Sequence, residues 1–311
     1  MYTDEQLNAI WQAVKALEGT TIEAPEMTSN LRFSKEARAK AKGHEWLYHC
    51  TNVNALFGII KNWEFWLTNL KLVNDKEEAR RIDVSAYEKS YYVGCFTYAN
   101  NVTQDHWQEY GNLSDGVILG VKQEWFERNA TFMTSCNDKD NNDFFKVYPT
   151  REDATNAKMF EQLQNKRLIN PYSIGEFDFY QVVYDDSLIK NIRGNGSWII
   201  NGTAYPGATL TPTVVGIVKS TKGICGRPGC EPYMKDWTTE KEIRLIVRID
   251  AYFTDNTLDF FFPKVAVPLK RSAFDELKIR FSPYFDSSAK VKCIEEIQQL
   301  LPLCKIEQLV D

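Results

Sequence analysis

The segment Thr239–Ile249, with the sequence TEKEIRLIVRI, constrains the fold more than any other part of this 311-residue chain. Glu240, Glu242 and Arg244 occupy alternate positions, and the apolar residues Ile243, Leu245 and Val247 occupy the other set of alternate positions. Successive side chains of a β-strand point to opposite faces, so the pattern predicts a strand with one charged and one apolar face. Two carboxylates on one face repel each other unless a cation or a ligand compensates. The segment is therefore either a surface ladder balanced by Arg244, or a site for chemistry at a glycosidic carbon, where a carboxylate stabilises an oxocarbenium-like transition state.

The rest of the chain alternates short strand-like runs with helical ones. HEWLYHCT, FWLTN, YYVGCFTYA and DGVILGV are typical of strands, whereas NVNALFGIIK and KVKCIEEIQQLL are typical of helices. Neither a dinucleotide-binding GxGxxG turn nor a Walker-type phosphate loop occurs, which argues against a doubly wound nucleotide fold. We predict an α+β domain over residues 46–311 with a long insert at about 125–232, preceded by an N-terminal helical segment over residues 1–45.

The bulk composition narrows the possible function classes. The formal net charge of −5 does not favour non-specific polyanion binding, although the sequence contains one basic run, formed by Arg32, Lys35, Arg38, Lys40 and Lys42. We interpret this run as a solvated helix face, with phosphate contact as the alternative. No stretch approaches the roughly 18 apolar residues of a membrane span, so no membrane association is expected. The seven cysteines are dispersed and odd in number, which favours a reducing cytoplasm over a disulfide framework.

Candidate metal ligands are few. His44 and His49 in HEWLYH are five residues apart in a strand-like run, whereas a zinc metalloprotease motif needs histidines at i and i+4 on a helix. Cys225 and Cys230 in CGRPGC are not followed by a second cysteine or histidine pair at suitable spacing. We expect no metal site, and we interpret the two cysteines as free loop thiols.

Several motifs together resemble a known pattern. LYHCTN, FWLTN, NDKEE, CFT, HWQEYGNLSDGVILGV and W-x-x-E-x-E-I-R follow one another in the order typical of a large prokaryotic family of uncharacterised proteins. That family is similar to the ADP-ribosyltransferase superfamily, which includes poly-ADP-ribose polymerases, DarT toxins and RNA 2′-phosphotransferases. The match covers about residues 46–122 and 233–250, under a third of the chain. The resemblance implies an ADP-ribosyltransferase-like core, a split mixed or antiparallel β-sheet with flanking helices and long inserts.

The resemblance also implies site residues, because the superfamily carries a His–Tyr–Glu or Arg–Ser–Glu triad on three strands. His49 corresponds to the first-strand His that holds sugar hydroxyls of NAD, and Glu242 corresponds to the final catalytic Glu. Phe96 takes the place of the Tyr that stacks on nicotinamide, and Glu240 matches an upstream carboxylate that contacts the acceptor. Further implied NAD-binding positions are Cys50, Thr51, Trp66, Asn69 and Thr97, and the implied acceptor-binding positions are Tyr233, Lys235 and Trp237.

The function that the resemblance implies is transfer of ADP-ribose from NAD, which is a substrate here, to a macromolecule. An RNA or DNA base is slightly favoured over a protein side chain as the acceptor. A role as a toxin or phage-defence effector is expected, with an antitoxin protein as a possible partner. The alternatives are an NAD glycohydrolase, in which water replaces the acceptor, and a non-catalytic nucleotide-binding or partner-binding module of the same fold.

Overall fold

The computed structural model describes residues 35–75, 91–99, 102–111, 113–128, 132–137, 143–148, 173–186, 197–200, 203–206, 217–225, 231–250 and 263–309. The strands of the first part of the chain are β1 Leu47–Asn52, β2 Glu64–Asn69, β3 Tyr91–Thr97, β4 Gly116–Val121, β5 Phe132–Asn137, β6 Asp143–Tyr148, β7 Ser173–Gln181 and β8 Val183–Tyr184. Those of the second part are β9 Ser197–Ile200, β10 Thr203–Pro206, β11 Val218–Lys219, β12 Lys222–Cys225, β13 Tyr233–Asp236, β14 Glu242–Asp250, β15 Lys264–Pro268, β16 Glu276–Phe281 and β17 Lys305–Gln308.

Within the described ranges, the helices of eight or more residues are α1 over residues 35–42, α2 Val53–Asn62 and α3 Ser287–Leu300. Helix α2 begins where the sequence predicts, because the Asn52 side chain accepts a hydrogen bond from the Ala55 N–H at 2.9 Å and caps the first turn. It ends at Trp63, whose φ of 57° places it in the left-handed region. A short turn at Gln104–His106 and a π-type turn at Trp107–Gly111 precede β4.

One large mixed sheet contains most of the strands. Its continuous order is β17-β16-β4-β1-β3-β2-β15-β6-β5, and β14 pairs with both β3 and β7. Most neighbours are antiparallel, whereas β15 with β6 and β16 with β17 are parallel. Among the described strands, β9 with β10, β8 with β11 and β12 with β13 form separate two-stranded sheets. The described residues therefore form an α+β fold with a mixed sheet, as the sequence predicts.

The sheet divides at β3. Strand β14 pairs with β3 from Tyr91 to Thr97 and so occupies one whole edge of it. Both β1 and β2 must then use the other edge, where β1 pairs at Thr97 and β2 at Tyr92 and Val93. The backbone between these two pairings has no strand partner on that edge. Gly94 lies there, and a Cβ added to it would be 2.6 Å from Cδ2 of Leu67, so a larger residue at this position would force the Leu67 side chain to move.

The two faces of β14 are chemically different. Ile243, Leu245 and Val247 belong to the main hydrophobic core, which also contains the buried sides of α2 and α3. The opposite face carries Glu242 and Arg244, followed by Ile246 in a smaller apolar cluster. The predicted alternation is thus confirmed from Glu242 onwards.

Three features concern the predicted boundaries. Residues 1–34, most of the predicted N-terminal helical segment, lie outside the described residues, whereas residues 35–42 of that segment are helical. Within the predicted insert at about 125–232, β6 and β7 pair with β15 and β14, so these parts belong to the large sheet. None of the helices in the described ranges combines the length and the apolar character needed to cross a membrane.

Candidate active site

A pocket of about 260 Å³ lies where β1 and β2 separate along β3. Its floor is the charged face of β14, because Glu242 and Arg244 both line it. Many residues predicted for the site also line it, namely His49, Cys50, Trp66, Phe96, Thr97, Trp237, Glu240 and Glu242. Among the described residues, Thr51, Asn69, Tyr233 and Lys235 were predicted but do not belong to the lining. The division of the sheet therefore brings together residues from four distant parts of the sequence.

Glu242 is held by two cations at the start of β14. Arg244 donates from Nε to Oε1 at 2.7 Å and from Nη2 to Oε2 at 3.3 Å, and Lys219 Nζ donates to Oε2 at 3.2 Å. The carboxylate is only 4% exposed, and such burial by itself would raise its pKa. The charges of Arg244 and Lys219 outweigh that effect and hold the pKa of Glu242 far below its usual range. Glu242 is therefore an ionised carboxylate in a site that excludes most of the surrounding water.

Glu240 lies near Glu242, but it does not belong to the same strand as predicted. It was expected on the same strand face, but it ends a 3₁₀ turn, Trp237–Glu240, and β14 begins only at Glu242. The break is at Lys241, whose φ of 46° lies in the left-handed region, so the strand cannot extend back through it. The two carboxylates nevertheless meet at Lys219, because its Nζ donates to Glu240 Oε2 at 3.0 Å as well as to Glu242.

Three donors engage the Glu240 carboxylate. Tyr110 donates from its hydroxyl at 2.6 Å, Lys219 from Nζ at 3.0 Å and Lys235 from Nζ at 2.8 Å. Burial and the neighbouring Glu242 would raise the pKa of Glu240, but the two lysine charges dominate and lower it. Burial, followed by the charge of Glu240, raises the pKa of Tyr110 well above its usual range, so this hydroxyl stays protonated and donates.

The network continues into the β12–β13 hairpin. Lys235 and the Tyr233 hydroxyl both donate to Glu109, which is buried in the π-type turn. The described network thus contains three carboxylates, Glu109, Glu240 and Glu242, and three cations, Lys219, Lys235 and Arg244. Balanced charge is what allows so many ionised groups to be buried together.

The Trp237 ring packs against the ammonium groups of both lysines. Lys219 Nζ lies 4.0 Å and Lys235 Nζ lies 4.9 Å from its ring centroid, within the range of a cation–π contact. The indole is fully buried, and a Cβ added at Gly223 would lie 2.7 Å from its Nε1. Lys235 is also buried, and Tyr233 donates to Glu109. The three predicted acceptor-binding residues therefore all contact charged groups of the network. Tyr233 is the most exposed of these three residues.

His49 lies at the place where β1 and β2 separate along β3. Its Nδ1 lies 3.0 Å from the backbone oxygen of Cys95, in the stretch of β3 that neither β1 nor β2 covers. A carbonyl oxygen only accepts, so Nδ1 carries the proton, and a neutral ring then has an acceptor lone pair at Nε2. Burial lowers the pKa of His49, although the bond to Cys95 opposes the shift, which favours this neutral form.

The remaining predicted residues occupy different environments. The Phe96 ring lies in the main core, with centroids 5.2 Å from Phe65 and 5.8 Å from Phe179. Asn69 is fully buried at the end of β2 and Thr51 is buried in β1. Cys50 and Trp66, in contrast, are half-buried at the pocket, and Thr97 Oγ1 accepts from the Ala99 N–H at 3.1 Å. Burial raises the pKa of the Cys50 thiol to about 12.

Several site residues were missed by the sequence reasoning. Lys219, Tyr110 and Cys95 all contact Glu240 or Glu242. Tyr110 and Cys95 lie within the motifs HWQEYGNLSDGVILGV and CFT but were not predicted as site residues, and Lys219 lies outside every motif of the resemblance. The Cys95 thiol lies at the pocket and donates to Glu242, and the loss of contact with bulk water, followed by the Glu242 charge, raises its pKa well above the usual range. A lysine directly after an apolar run, as in VVGIVK, is the only signal that pointed to Lys219.

Comparison of the chain with protein-family models, characterised proteins and solved structures found no match.

Proposed function

We propose that this chain is an NAD-dependent ADP-ribosyltransferase, which breaks the bond between nicotinamide and ribose in the pocket at the division of the sheet. The observation that carries the proposal is the Glu242 carboxylate, which is buried and ionised in a pocket that the neutral His49 also lines. The motif resemblance to the ADP-ribosyltransferases motivates the choice of NAD as substrate.

The chemistry needs a buried negative charge. When the glycosidic bond breaks, nicotinamide leaves with the bonding electron pair as a neutral molecule, and the ribose carbon gains oxocarbenium character. A lone pair of the acceptor then forms the new bond to that carbon, and the acceptor releases its proton to solvent. A carboxylate fixed beside the carbon stabilises the developing positive charge, and it does so more strongly when water is excluded.

Glu242 can exchange one of its present hydrogen bonds for a hydrogen bond from a ligand at little cost. A carboxylate offers about four lone-pair positions, and Arg244, Lys219 and the Cys95 thiol supply donors to them. The thiol is the weakest of these donors. A ribose hydroxyl entering the pocket would therefore take the place of Cys95, leaving both cations in position. His49 Nε2 offers an acceptor for a second hydroxyl.

The size and lining of the pocket suit one end of NAD. At about 260 Å³ it is smaller than the range of about 300–1,000 Å³ usual for whole drug-sized ligands, so the remainder of the dinucleotide would extend beyond it. Trp66 and Tyr110 offer aromatic surface at the pocket for the flat nicotinamide ring, whereas the Phe96 ring lies in the core.

We favour an RNA or DNA base over a protein side chain as acceptor, and a cytoplasmic role as a toxin or defence effector with an antitoxin partner. A second candidate, an NAD glycohydrolase, is favoured by one observation. Glu240 is fully engaged by Tyr110, Lys219 and Lys235, so it is poorly placed to deprotonate an acceptor. Labelled NAD incubated with the protein and a cell lysate, followed by nuclease or protease, distinguishes the two: macromolecular label supports transfer, and free ADP-ribose alone supports hydrolysis.

The test of the proposal is the replacement of Glu242. Glu242→Gln removes the negative charge, and a loss of NAD cleavage of at least about a hundredfold is expected. Because Gln removes the negative charge that Arg244 and Lys219 both contact, Glu242→Asp is the second variant: it keeps the charge but withdraws it from the pocket, and it should also lose activity while folding. Glu276→Gln is the matched control, since Glu276 pairs with Lys122 at the surface. Normal NAD cleavage by both Glu242 variants would refute the assignment.

A further inference from the structure

A second cleft lies directly beyond the strand ends that form the pocket. It has a volume of about 520 Å³ and is lined mainly by side chains of the segments before β1, after β3 and before β14: Gly43, His44, Glu45, Trp46, Tyr48, Tyr98, Ala99 and Lys241. We name it the aromatic cleft. Four of its lining side chains are aromatic rings, and one, Lys241, is an exposed cation.

The strand register fixes the position of the aromatic cleft relative to Glu242. Tyr48 pairs with Thr97, and Thr97 pairs with Glu242, so these three residues form one row across β1, β3 and β14. The lining residues Tyr98, which follows Thr97, and Lys241, which precedes Glu242, are each one residue beyond this row, and one residue along a strand is about 3.3 Å. The Tyr98 N–H donates to the Lys241 oxygen at 3.3 Å and holds the two segments together. Tyr48 lines both the pocket and the aromatic cleft.

The rings of the aromatic cleft suit a flat ligand. His44 and Tyr98 stack on each other with centroids 4.4 Å apart and an interplanar angle of 19°. Both are half-buried, so the pair still presents ring surface to solvent. Every nucleobase has a π-face that stacks on such a platform, which is why aromatic platforms of this kind are general in single-strand binding.

The positive charges near the aromatic cleft suit a phosphate backbone. Lys241 is exposed at its lining, and Lys40 and Lys42 are exposed at the end of α1, immediately before the lining residues Gly43 and His44. Binding to single strands gains affinity from lysines that neutralise phosphates. The net charge of −5 describes the whole chain and does not oppose this local arrangement. The one exposed acid of the lining, Glu45, has Lys122 Nζ at 3.6 Å.

We infer that the aromatic cleft binds an unpaired base of a single-stranded nucleic acid, and that it delivers the base to the ribose carbon held at Glu242. The second part of this inference rests on the proposed function; the binding itself does not. The step requires no group beyond those already described: the base nitrogen supplies the lone pair, nicotinamide leaves, and the proton of the base goes to solvent.

The test is direct binding in the absence of NAD. The probes are fluorescein-labelled 12-nucleotide oligomers of mixed sequence, one RNA and one DNA, and the measurement is fluorescence anisotropy at low salt. Because stacking contributes about 1–3 kcal/mol for each base, His44→Ala and Tyr98→Ala are expected to weaken binding at least about fivefold each. Tyr98→Phe keeps the ring and should retain the affinity. Tyr284→Ala removes an exposed tyrosine at another surface and should also retain it.

The salt dependence tests the lysines separately. Lys241→Gln should make the dependence of log K on log salt shallower by about 0.7, the contribution of one phosphate contact in a single strand. Lys292→Gln, on the exposed side of α3, should leave it unchanged. The RNA and DNA arms show which strand is preferred, and either preference supports the inference.

Any of three results would overturn the inference. The first is that the wild-type chain binds neither oligomer, and the second is that His44→Ala and Tyr98→Ala bind with the wild-type affinity. The third is that a duplex with paired bases binds as tightly as the single strands. Labelling of lysate protein by NAD, without oligomer binding, would assign the acceptor to protein instead. Since no NAD is present in the binding experiment, failure of NAD cleavage would refute the proposed function without affecting this result.

Discussion

Replacing Lys219 by Met removes the cation that Glu240 and Glu242 share. Its Nζ lies 3.0 Å from Glu240, 3.2 Å from Glu242 and 4.0 Å from the Trp237 ring centroid, and the side chain is buried. Met fills a similar volume without the charge, so the substitution changes the electrostatics of the site with little change in packing. The balanced network would then carry one unmatched negative charge in the interior.

The size of the effect follows from what each carboxylate retains. Removing one partner of a buried ion pair costs about 3–5 kcal/mol because an uncompensated charge stays behind. Glu242 keeps Arg244 at 2.7 Å, and Glu240 keeps Lys235 at 2.8 Å, so neither is left without a cation. We therefore expect a loss of about 3 kcal/mol in the free energy of unfolding, the lower end of that range.

Lys219→Met should also raise the pH at which stability and activity are lost in acid. Folding lowers the pKa of both carboxylates, so their ionised forms stabilise the fold above the ordinary pKa of about 4.3, and this stabilisation is lost as the pH falls towards their folded-state pKa. Lys219 is one cause of that lowering. Without it the folded-state pKa rises, and both stability and NAD cleavage should be lost at a higher pH than in the wild type.

Urea denaturation at neutral pH measures the stability, with Lys278→Met as the matched control. Lys278 also contacts a carboxylate, Glu307 at 3.0 Å, and an aromatic ring, Trp46 at 4.7 Å, but Glu307 is 59% exposed. Its loss should cost less than about 1 kcal/mol. Lys219→Met combined with Glu240→Gln restores the charge balance, so the double variant should lose at least about 1 kcal/mol less than the sum of the single losses. Equal costs for the two lysines, or strict additivity in the double variant, would refute the argument.

Two further predictions concern the carboxylate pair and His49. Glu240→Gln should reduce transfer to the acceptor and hydrolysis of NAD by the same factor, because Glu240 acts through Lys219. Both products can be counted in one reaction with labelled NAD. An unequal reduction would instead support a role of Glu240 in activating the acceptor. Because burial lowers the pKa of His49, the neutral ring persists below the ordinary histidine pKa, and kcat/KM for NAD should stay level from pH 8 down through about 6.5 and fall only below it. An inflection near pH 7 that His49→Ala abolishes would contradict this.

Local patterns in the sequence are sufficient to predict most of the central strands and α2. Alternation predicts the two faces of β14 from Glu242 onwards, and the run NVNALFGIIK predicts α2, because both patterns depend on neighbours a few residues away. The same reasoning could have placed Phe96 in the core: it shares a strand face with Tyr92, and both belong to the main cluster.

The position of Glu240 and the role of Lys219 could not be predicted in this way. A lysine with positive φ is rare, so nothing in TEKEIRLIVRI indicates that the strand stops at Lys241. Lys219 reaches Glu240 from a two-residue strand 21 positions earlier in the chain. Contacts between such short, distant segments depend on tertiary packing, which neither periodicity nor propensity describes.

The separation of β1 and β2 has a consequence for how the pocket could change its dimensions. The two strands are joined by α2 alone. Leu56, Ile59 and Ile60 of that helix are buried in the core, and none of these three residues lines the pocket. The same helix end is tied to β15, since the Trp63 oxygen accepts from the Leu269 N–H at 2.8 Å. Repacking the buried side of α2 would therefore widen or narrow the opening while every polar group in it stayed the same. Ligand size can thus be selected by interior residues that never meet the ligand.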